Sequence, residues 1–271
     1  MVVANDLTIT SIETITTFDL HNGDYLFTLD EMQSCTIAQG EDKSDITGRQ
    51  GRKLGSLHRN KNFTVSGNNG FISGGLLALQ TGSEFEAKND IPIKWSDYLS
   101  VGADHTVALS YSPASADSIQ VYTLADGVAS AKLTATTETP AAGKFKYTAA
   151  VAASGNDPAT PPTITFNSDL AEGTNVVVFY TRSVSGHYLV NESNKYAGKC
   201  SMYIDAMAED KCNNVYRVQF YIPKAEVSGE FSIDLGDNQA VHAFEASSLS
   251  GGCTANNTLW TYAVFGEEQS A

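Results

Sequence analysis

The feature of this 271-residue sequence that most constrains its fold is a repeated alternation of polar and apolar residues. Short alternating runs, separated by turn-forming residues, recur along the chain. A period of two is typical of antiparallel strands that bury one face. The C-terminal runs place five residues in the predicted core: Tyr216, Val218, Phe220, Ile222 and Trp260. Pro223 is expected to end the first of these runs, because proline donates no backbone hydrogen bond.

One short stretch has the period of an α-helix. Three apolar residues are spaced to line one helical stripe and are predicted to pack in the core: Ile72, Leu76 and Leu79. Asn68 or Asn69 is suited to cap the start of this helix, and Gly82 is suited to end it. Gly74 and Gly75 lower its intrinsic helix propensity, which favours close packing against a sheet.

The middle of the chain differs in composition from its two ends. Between residues 96 and 181 the charge density falls, and short predicted strands follow one another with turns between them. This spacing is typical of a small β-sandwich. We therefore predict an inserted domain at 96–181, with residues 1–95 and 182–271 forming the other domain together.

Charge and composition exclude several classes of protein. The formal net charge is −14, from 31 acidic and 17 basic residues, which argues against tight, phosphate-neutralising binding to nucleic acid. No apolar run approaches the roughly 20 residues that cross a bilayer, so no membrane partner is expected. Residues 1–17 lack the basic and apolar regions of a signal peptide, so the chain is expected to stay where it is made.

The sequence gives no pattern for catalysis or for a cofactor. Four cysteines at positions 35, 200, 212 and 253 fit no zinc module, so no metal is expected. Reduced thiols are predicted, with a Cys200–Cys212 bridge as the alternative. The pair Asp104-His105 is interpreted as structural, and the protein is predicted not to be an enzyme. Trp95 and Trp260 are candidates for stacking on sugars, although core packing is the favoured use of both.

One basic segment stands out from the acidic average. Residues 48–61 read GRQGRKLGSLHRNK and follow a stretch that contains three acids. We predict a long polar loop between two strands, which is either mobile in solvent or docks on the acidic surface of a neighbouring copy. The candidate residues for contacts between subunits are Glu41, Asp42, Asp45, Arg49, Arg52, Lys53, Arg59 and Lys61.

The order of these features resembles the tail tube proteins of long-tailed bacteriophages. The resemblance rests on the polar segment TIAQGEDKSDITGRQGRKLGSL, the helical segment GFISGGLLALQTGSEFE, an IPKA element followed by a hairpin, and the terminal LWTYAVF. It covers roughly residues 10–95 and 182–268. It implies a mainly β fold: a tail-tube-type β-sandwich/barrel domain with one short α-helix, plus an inserted small β-sandwich that resembles the Ig-like domains found in this family.

The resemblance also implies a function. Such proteins form homohexameric rings that stack into a hollow tube, with strands of each subunit in a shared inner barrel and an acidic lumen through which DNA passes. On this basis Arg49, Arg52, Lys53 and Arg59 are expected to form inter-subunit salt bridges, and other tail proteins are expected partners. The expected location is the virion tail, assembled in the host cytoplasm. The alternatives are a capsid-decorating or baseplate protein, or a carbohydrate-binding or adhesion module.

Overall fold

A computed structural model describes residues 6–154, 159–234, 241–249 and 257–266 of the chain. Residues 1–5, the connection 235–240 of the predicted C-terminal hairpin, and Cys253 lie outside the described residues. The chain divides into two compact units. Unit 1 comprises Met1–Phe85 with Leu189–Ala271, and unit 2 comprises Glu86–Tyr188.

The described residues are mainly in β-strands, as predicted. The elements in chain order are β1 (Thr8–Asp19), β2 (Tyr25–Leu29), β3 (Met32–Thr47), β4 (Lys53–Asn69), α1 (Gly74–Thr81), β5 (Glu86–Ser100), β6 (Thr106–Ala108), β7 (Gln120–Ala125), β8 (Val128–Ala135), β9 (Lys144–Thr148), β10 (Thr163–Phe166), β11 (Asn175–Tyr188), β12 (Lys199–Glu209), β13 (Val215–Val227), β14 (Ile233–Asp234), β15 (Val241–Ser248) and β16 (Thr261–Phe265). Short 3-10 turns lie at Arg49–Gly51 and Ala116–Ser118. The expected domain boundaries at 95/96 and 181/182 fall inside β5 and β11.

Unit 1 is built on one antiparallel sheet with the strand order β2-β1-β12-β13-β15-β4-β3. Strand β14 pairs with β15, and β16 pairs with β13. Alternate residues of these strands turn one face inward, as the period of two requires. The largest fully buried members of this core include Phe63, Ile15, Leu29, Met202 and Ile222.

The predicted short helix is confirmed as α1, but it begins later than expected. Ser73 caps it, with Oγ accepting the Leu76 N–H at 3.3 Å, whereas neither Asn68 nor Asn69 does so. Ile72 therefore precedes the helix and does not share its stripe; it is 46% exposed, so its predicted core position is wrong. Leu76 is buried and Leu79 is half-buried against the same core. Gly82 ends the helix with φ 65°, as predicted.

The long strand β13 carries four of the residues predicted for the core. Val218 and Ile222 are buried, Phe220 is half-buried against the core cluster, and Tyr216 is half-buried. Pro223 does not end the strand as predicted. It lies at a register shift, where Met202 pairs with Ile222 and Cys200 pairs with Ala225, so the ladder does not use its missing N–H.

Unit 2 is built on a second sheet with the strand order β5-β11-β7-β8-β9-β10-β6. All of these pairs are antiparallel except β8 with β9, which is parallel. Val107 of the terminal strand β6 and Val178 of β11, next to the opposite end of this order, belong to one buried cluster. The sheet therefore folds over a single core in the manner of a β-sandwich. One of the protein's two sheets is curved as a half-barrel.

Candidate functional site

The basic segment belongs to a long β-hairpin and not to an irregular loop. Strands β3 and β4 stay paired from Met32↔Asn69 out to Thr47↔Lys53. The neighbouring strand β15 pairs with β4 only over residues 64–69, so residues 40–62 form a two-stranded ribbon that we call the hairpin arm. At about 3.3 Å per residue the arm is about 30 Å long. All eight residues predicted for contacts between subunits lie on it.

The base of the hairpin arm is held by an aromatic clamp. The Trp260 ring stacks on Phe63, with ring centres 5.2 Å apart. Phe63 is buried in the core of unit 1, and the indole N–H of Trp260 donates to Gln39 Oε1 at 3.0 Å. Trp260 is half-buried, which agrees with packing and leaves little of the ring for a sugar. The arm therefore starts from a fixed position.

Beyond this base, none of the side chains of the hairpin arm is buried. Its acidic residues are engaged within the arm. Lys53 Nζ lies 2.7 Å from Asp45 Oδ1, and His58 Nδ1 donates to Glu41 Oε1 at 2.7 Å. The hydrogen bond from Lys53 lowers the pKa of Asp45 below its usual value, with a second bond from Ser56 acting in the same direction. Asp42 likewise accepts a hydrogen bond from the Asn60 amide at 2.8 Å.

Four of the five predicted basic residues are not engaged in this way. Among the described residues, Arg49, Arg52, Arg59 and Lys61 have no side-chain hydrogen bond or ion pair. Two of them lie at the tip, where the chain turns through the left-handed residue Gln50 (φ 66°) and Gly51 (φ 73°). The hairpin arm thus pairs its acids internally and presents cations at its tip.

The hairpin arm also exposes apolar side chains that the sequence analysis did not single out. Ile46 is 51% exposed, Leu54 is 67% exposed and Leu57 is 39% exposed. The register Ser44↔Leu57 and Ile46↔Gly55 puts Ile46 and Leu57 on the same face of the ribbon. Exposed apolar and cationic groups together are the features of a surface that contacts another protein.

A buried histidine lies in unit 1, away from the hairpin arm in sequence. His242 is fully buried; its Nε2–H donates to Gln80 Oε1 at 2.8 Å, and its Nδ1 accepts the Ser73 N–H at 3.3 Å. Gln80 in turn donates to the carbonyl of Ala243. Burial lowers the pKa of His242, so the ring is held neutral. Its two nitrogens are occupied by structural bonds, and its role is to fix α1 against β15.

The candidate catalytic and redox groups have structural partners. Asp104 accepts hydrogen bonds from Thr106, and the His105 ring contacts the Leu170 carbonyl. Burial raises the pKa of Cys35 to about 11 and that of Cys200 to about 12, so both thiols stay protonated at neutral pH. Cys200 and Cys212 are both free, so the bridge between them, left open by the sequence, does not form.

The described part of the chain contains no group of three or more His, Cys, Asp or Glu residues that could hold a metal ion. Nor does that part contain a helix with the length and apolar character required to traverse a bilayer.

The other sugar-stacking candidate, Trp95 of unit 2, is 37% exposed and so is not the core residue that was favoured, but its ring has internal contacts. The Arg182 guanidinium lies 5.2 Å from its centre, and Tyr111 meets it edge-on at 5.0 Å. Its indole N–H donates to Asp97, a buried carboxylate that also accepts from the buried Tyr180 hydroxyl at 2.8 Å. Burial tends to raise the pKa of Asp97, but hydrogen bonds from Ser110, Tyr180 and Trp95 outweigh it and lower the pKa. Trp95 therefore serves a structural network.

The fold and the hairpin arm together define a class: a mainly β structural protein with an exposed contact element. The chain belongs to the YomU/Tube protein family, whose model matches residues 7–263. The name of this family indicates a phage tube-type structural protein and a virion component, which agrees with the resemblance noted from the sequence. A search of curated proteins found no match.

Proposed function

We propose that this protein is the structural subunit of a phage tail tube, in which copies form homohexameric rings that stack around a DNA-conducting lumen. The observation that carries the proposal is the hairpin arm, which is exposed over its length and pairs with no third strand in the part of the chain that the structure describes. A two-stranded hairpin is only marginally stable alone in water. A neighbouring copy that covers the arm would add the contacts that it lacks within one chain.

Ring formation is supported by the edges of the unit 1 sheet. Its outer strands β2 and β3 each have a neighbour on one side only. Unpaired edges invite pairing with other chains, and closure into a shared barrel removes them. Strands contributed by successive subunits would form such a barrel around the lumen. Contact between different surfaces of identical copies closes a ring when the rotation permits it.

The distribution of charge supports both the contact between subunits and the passage of DNA through the tube. With Arg49, Arg52 and Arg59 unpaired on the hairpin arm, salt bridges to acidic residues of a neighbour need no existing bond to break. Lys53, which was expected to act in the same way, is already bound to Asp45 and is a weaker candidate. The chain's net charge of −14 favours an acidic lumen that repels DNA phosphates and lets the duplex slide.

Within this proposal, unit 2 is an inserted Ig-like domain that decorates the tube. Its sandwich-like core and its position between two segments of unit 1 in the sequence support that assignment. The subunit would assemble in the host cytoplasm, join other tail proteins and end in the virion tail. The alternative role in a virion is that of a capsid-decorating or baseplate protein, which would not polymerise into tubes. The engaged rings of Trp95 and Trp260 disfavour a sugar-binding module.

Charge reversal at the tip of the hairpin arm tests the proposal. The double variant Arg49→Glu with Arg52→Glu is expected to remain folded, because both side chains are exposed and unpaired and such surface changes alter stability by about 0.5 kcal/mol or less each. It is expected to form no tubes under conditions in which the unmodified protein forms them. Negative-stain microscopy and sedimentation velocity measure assembly, and circular dichroism measures the fold.

The matched control reverses two cations of unit 2, the exposed Lys144 and the half-buried Lys146, as Lys144→Glu with Lys146→Glu, and changes the net charge equally. It is expected to assemble normally. Normal tubes from the arm variant would remove the hairpin arm from assembly. An unmodified protein that stays monomeric up to high concentration would refute the tube function itself.

A further inference from the structure

A groove in unit 1 is lined by acidic side chains, whereas the tip of the hairpin arm carries basic ones. It has a volume of about 430 Å³ and lies where the end of β13, the middle of β15 and the segment before β12 meet. Its lining includes two carboxylates and an aromatic ring, from Glu226, Glu245 and Tyr196. We call it the acidic groove.

The side chains of the acidic groove are available for a ligand. Tyr196 is 81% exposed. The Glu245 carboxylate has no hydrogen bond or ion pair among the described residues. Glu226 lies 3.5 Å from Lys199 at the rim, a long contact that leaves most of its acceptor capacity unused. Two carboxylates beside an exposed tyrosine ring suit a guanidinium, which accepts bidentate hydrogen bonding and stacks on aromatic faces.

We infer that the acidic groove is the docking site for the tip of the hairpin arm of a second copy of this chain. Arg49 and Arg52 at the tip supply two guanidinium groups that have no partner among the described residues of their own chain. The groove is large enough for side chains but too small for a whole strand, so the tip and not the length of the arm enters it. The inference rests on the proposed function, because it supplies the receptor for the contact proposed there.

The geometry of the chain requires that the two partners belong to different copies. Glu245 pairs with Ser66 of β4, near the base of the hairpin arm. The tip begins at Lys53, thirteen residues further out along the same strand, a separation of about 40 Å at 3.3 Å per residue. A paired strand cannot fold back on itself over that distance. Each contact of tip and groove is therefore head-to-tail, and each copy both gives one contact and receives one.

Substitution of Glu245 by lysine tests the inference without disturbing an existing bond. We expect Glu245→Lys to raise the protein concentration needed for assembly about tenfold, because it replaces attraction to two arginines by repulsion. Tyr196→Ala is expected to have a smaller effect of the same sign. Glu138→Lys, an equal charge change at an exposed glutamate of unit 2, serves as the control and is expected to assemble as the unmodified protein does.

Mixing two defective variants gives a sharper test. The variant Arg49→Glu with Arg52→Glu keeps an intact acidic groove, and Glu245→Lys keeps an intact tip. Mixed together, they offer two compatible contacts, the intact tip with the intact groove and the reversed tip with the reversed groove, so alternating copies are expected to form complexes in sedimentation velocity that neither variant forms alone. Combining all three substitutions in one chain is expected to restore part of the assembly, because the reversed tip then meets a reversed groove.

The outcomes separate the two proposals. If the unmodified protein does not assemble, the tube function and the docking site both fail. If it assembles and the tip variant does not, but Glu245→Lys assembles like Glu138→Lys, the tube function stands and the acidic groove is not the receptor. Failure of the mixed variants to form a complex would likewise overturn the docking site alone.

Discussion

Replacing Gly75 with alanine is expected to destabilise unit 1, whereas the same change at the neighbouring Gly74 is expected to stabilise it slightly. A Cβ added at Gly75 would lie 2.5 Å from Phe27 Cβ and 2.9 Å from its Cγ, which belong to the part of that ring least able to move. Overpacking of this kind costs about 1–3 kcal/mol, against about 1 kcal/mol gained in helix propensity. The difference is a net loss of up to about 2 kcal/mol.

At Gly74 the balance is reversed. The nearest atom to an added Cβ is Phe85 Cε2, at the ordinary contact distance of 3.4 Å. The helix propensity is then gained without a clash, so stability should rise by about 0.5–1 kcal/mol. The two variants share the helix, the residue change and the lost backbone entropy, so their difference isolates the contact with Phe27.

Tryptophan fluorescence measures this difference in one unit only. The chain has two tryptophans, of which Trp260 belongs to unit 1 and Trp95 to unit 2. In a Trp95→Phe background, urea unfolding followed by Trp260 reports on unit 1. If Gly75→Ala proved as stable as Gly74→Ala, the close approach of α1 to β2 would be refuted, together with the explanation of why the sequence places glycine there.

Two further predictions concern one unit each. Because burial lowers the pKa of His242 in the folded state, the unfolded state binds the proton more readily. The contribution of this neutral ring to the stability of unit 1 is therefore fully present above pH 6.5 and is lost as the pH falls below that value, and urea titrations of His242→Gln should not show this dependence between about pH 5 and 7. Removing residues 86–188 should leave unit 1 folded, because Glu86 and Tyr188 pair directly and a short glycine linker can join their flanks; loss of cooperative unfolding in that deletion would contradict the division into units.

The residues that alternate along one buried face could be predicted from the sequence, and the hairpin arm shows why others could not. Polar and apolar residues alternate in the sequence only where one face of a strand is buried and the other is exposed. Val218 and Ile222 of β13 are buried, while Arg217, which directly precedes Val218, is exposed, so the two faces of this strand differ. Residues 40–62 have no buried face, and their polar, glycine-containing sequence gives no alternation. Because both faces of the arm are exposed and available to a partner, its strands lack the alternating pattern by which they could be predicted from the sequence.

The predictions of where the helix begins and where β13 ends were wrong for a different reason. Ser73 caps α1 because its N–H is already fixed by the buried His242, a contact across 169 residues of sequence. Pro223 is tolerated within β13 because a register shift in the partner strand β12 removes the need for its N–H. Both features depend on residues distant in the chain, so local propensity alone does not reveal them.

No pattern in the sequence predicts the acidic groove. Because its residues come from separate segments of the chain, the groove exists only in a folded subunit. Tyr196, Glu226 and Glu245 are brought together only when β13 and β15 pair at the edge of the core. A chain whose unit 1 has not folded therefore presents cationic tips without receptors. Assembly through the groove would then select folded subunits, because only a folded copy can accept the next. Since the arm itself is marginal as an isolated ribbon, docking would order it at the same step, so that recognition and rigidification occur together.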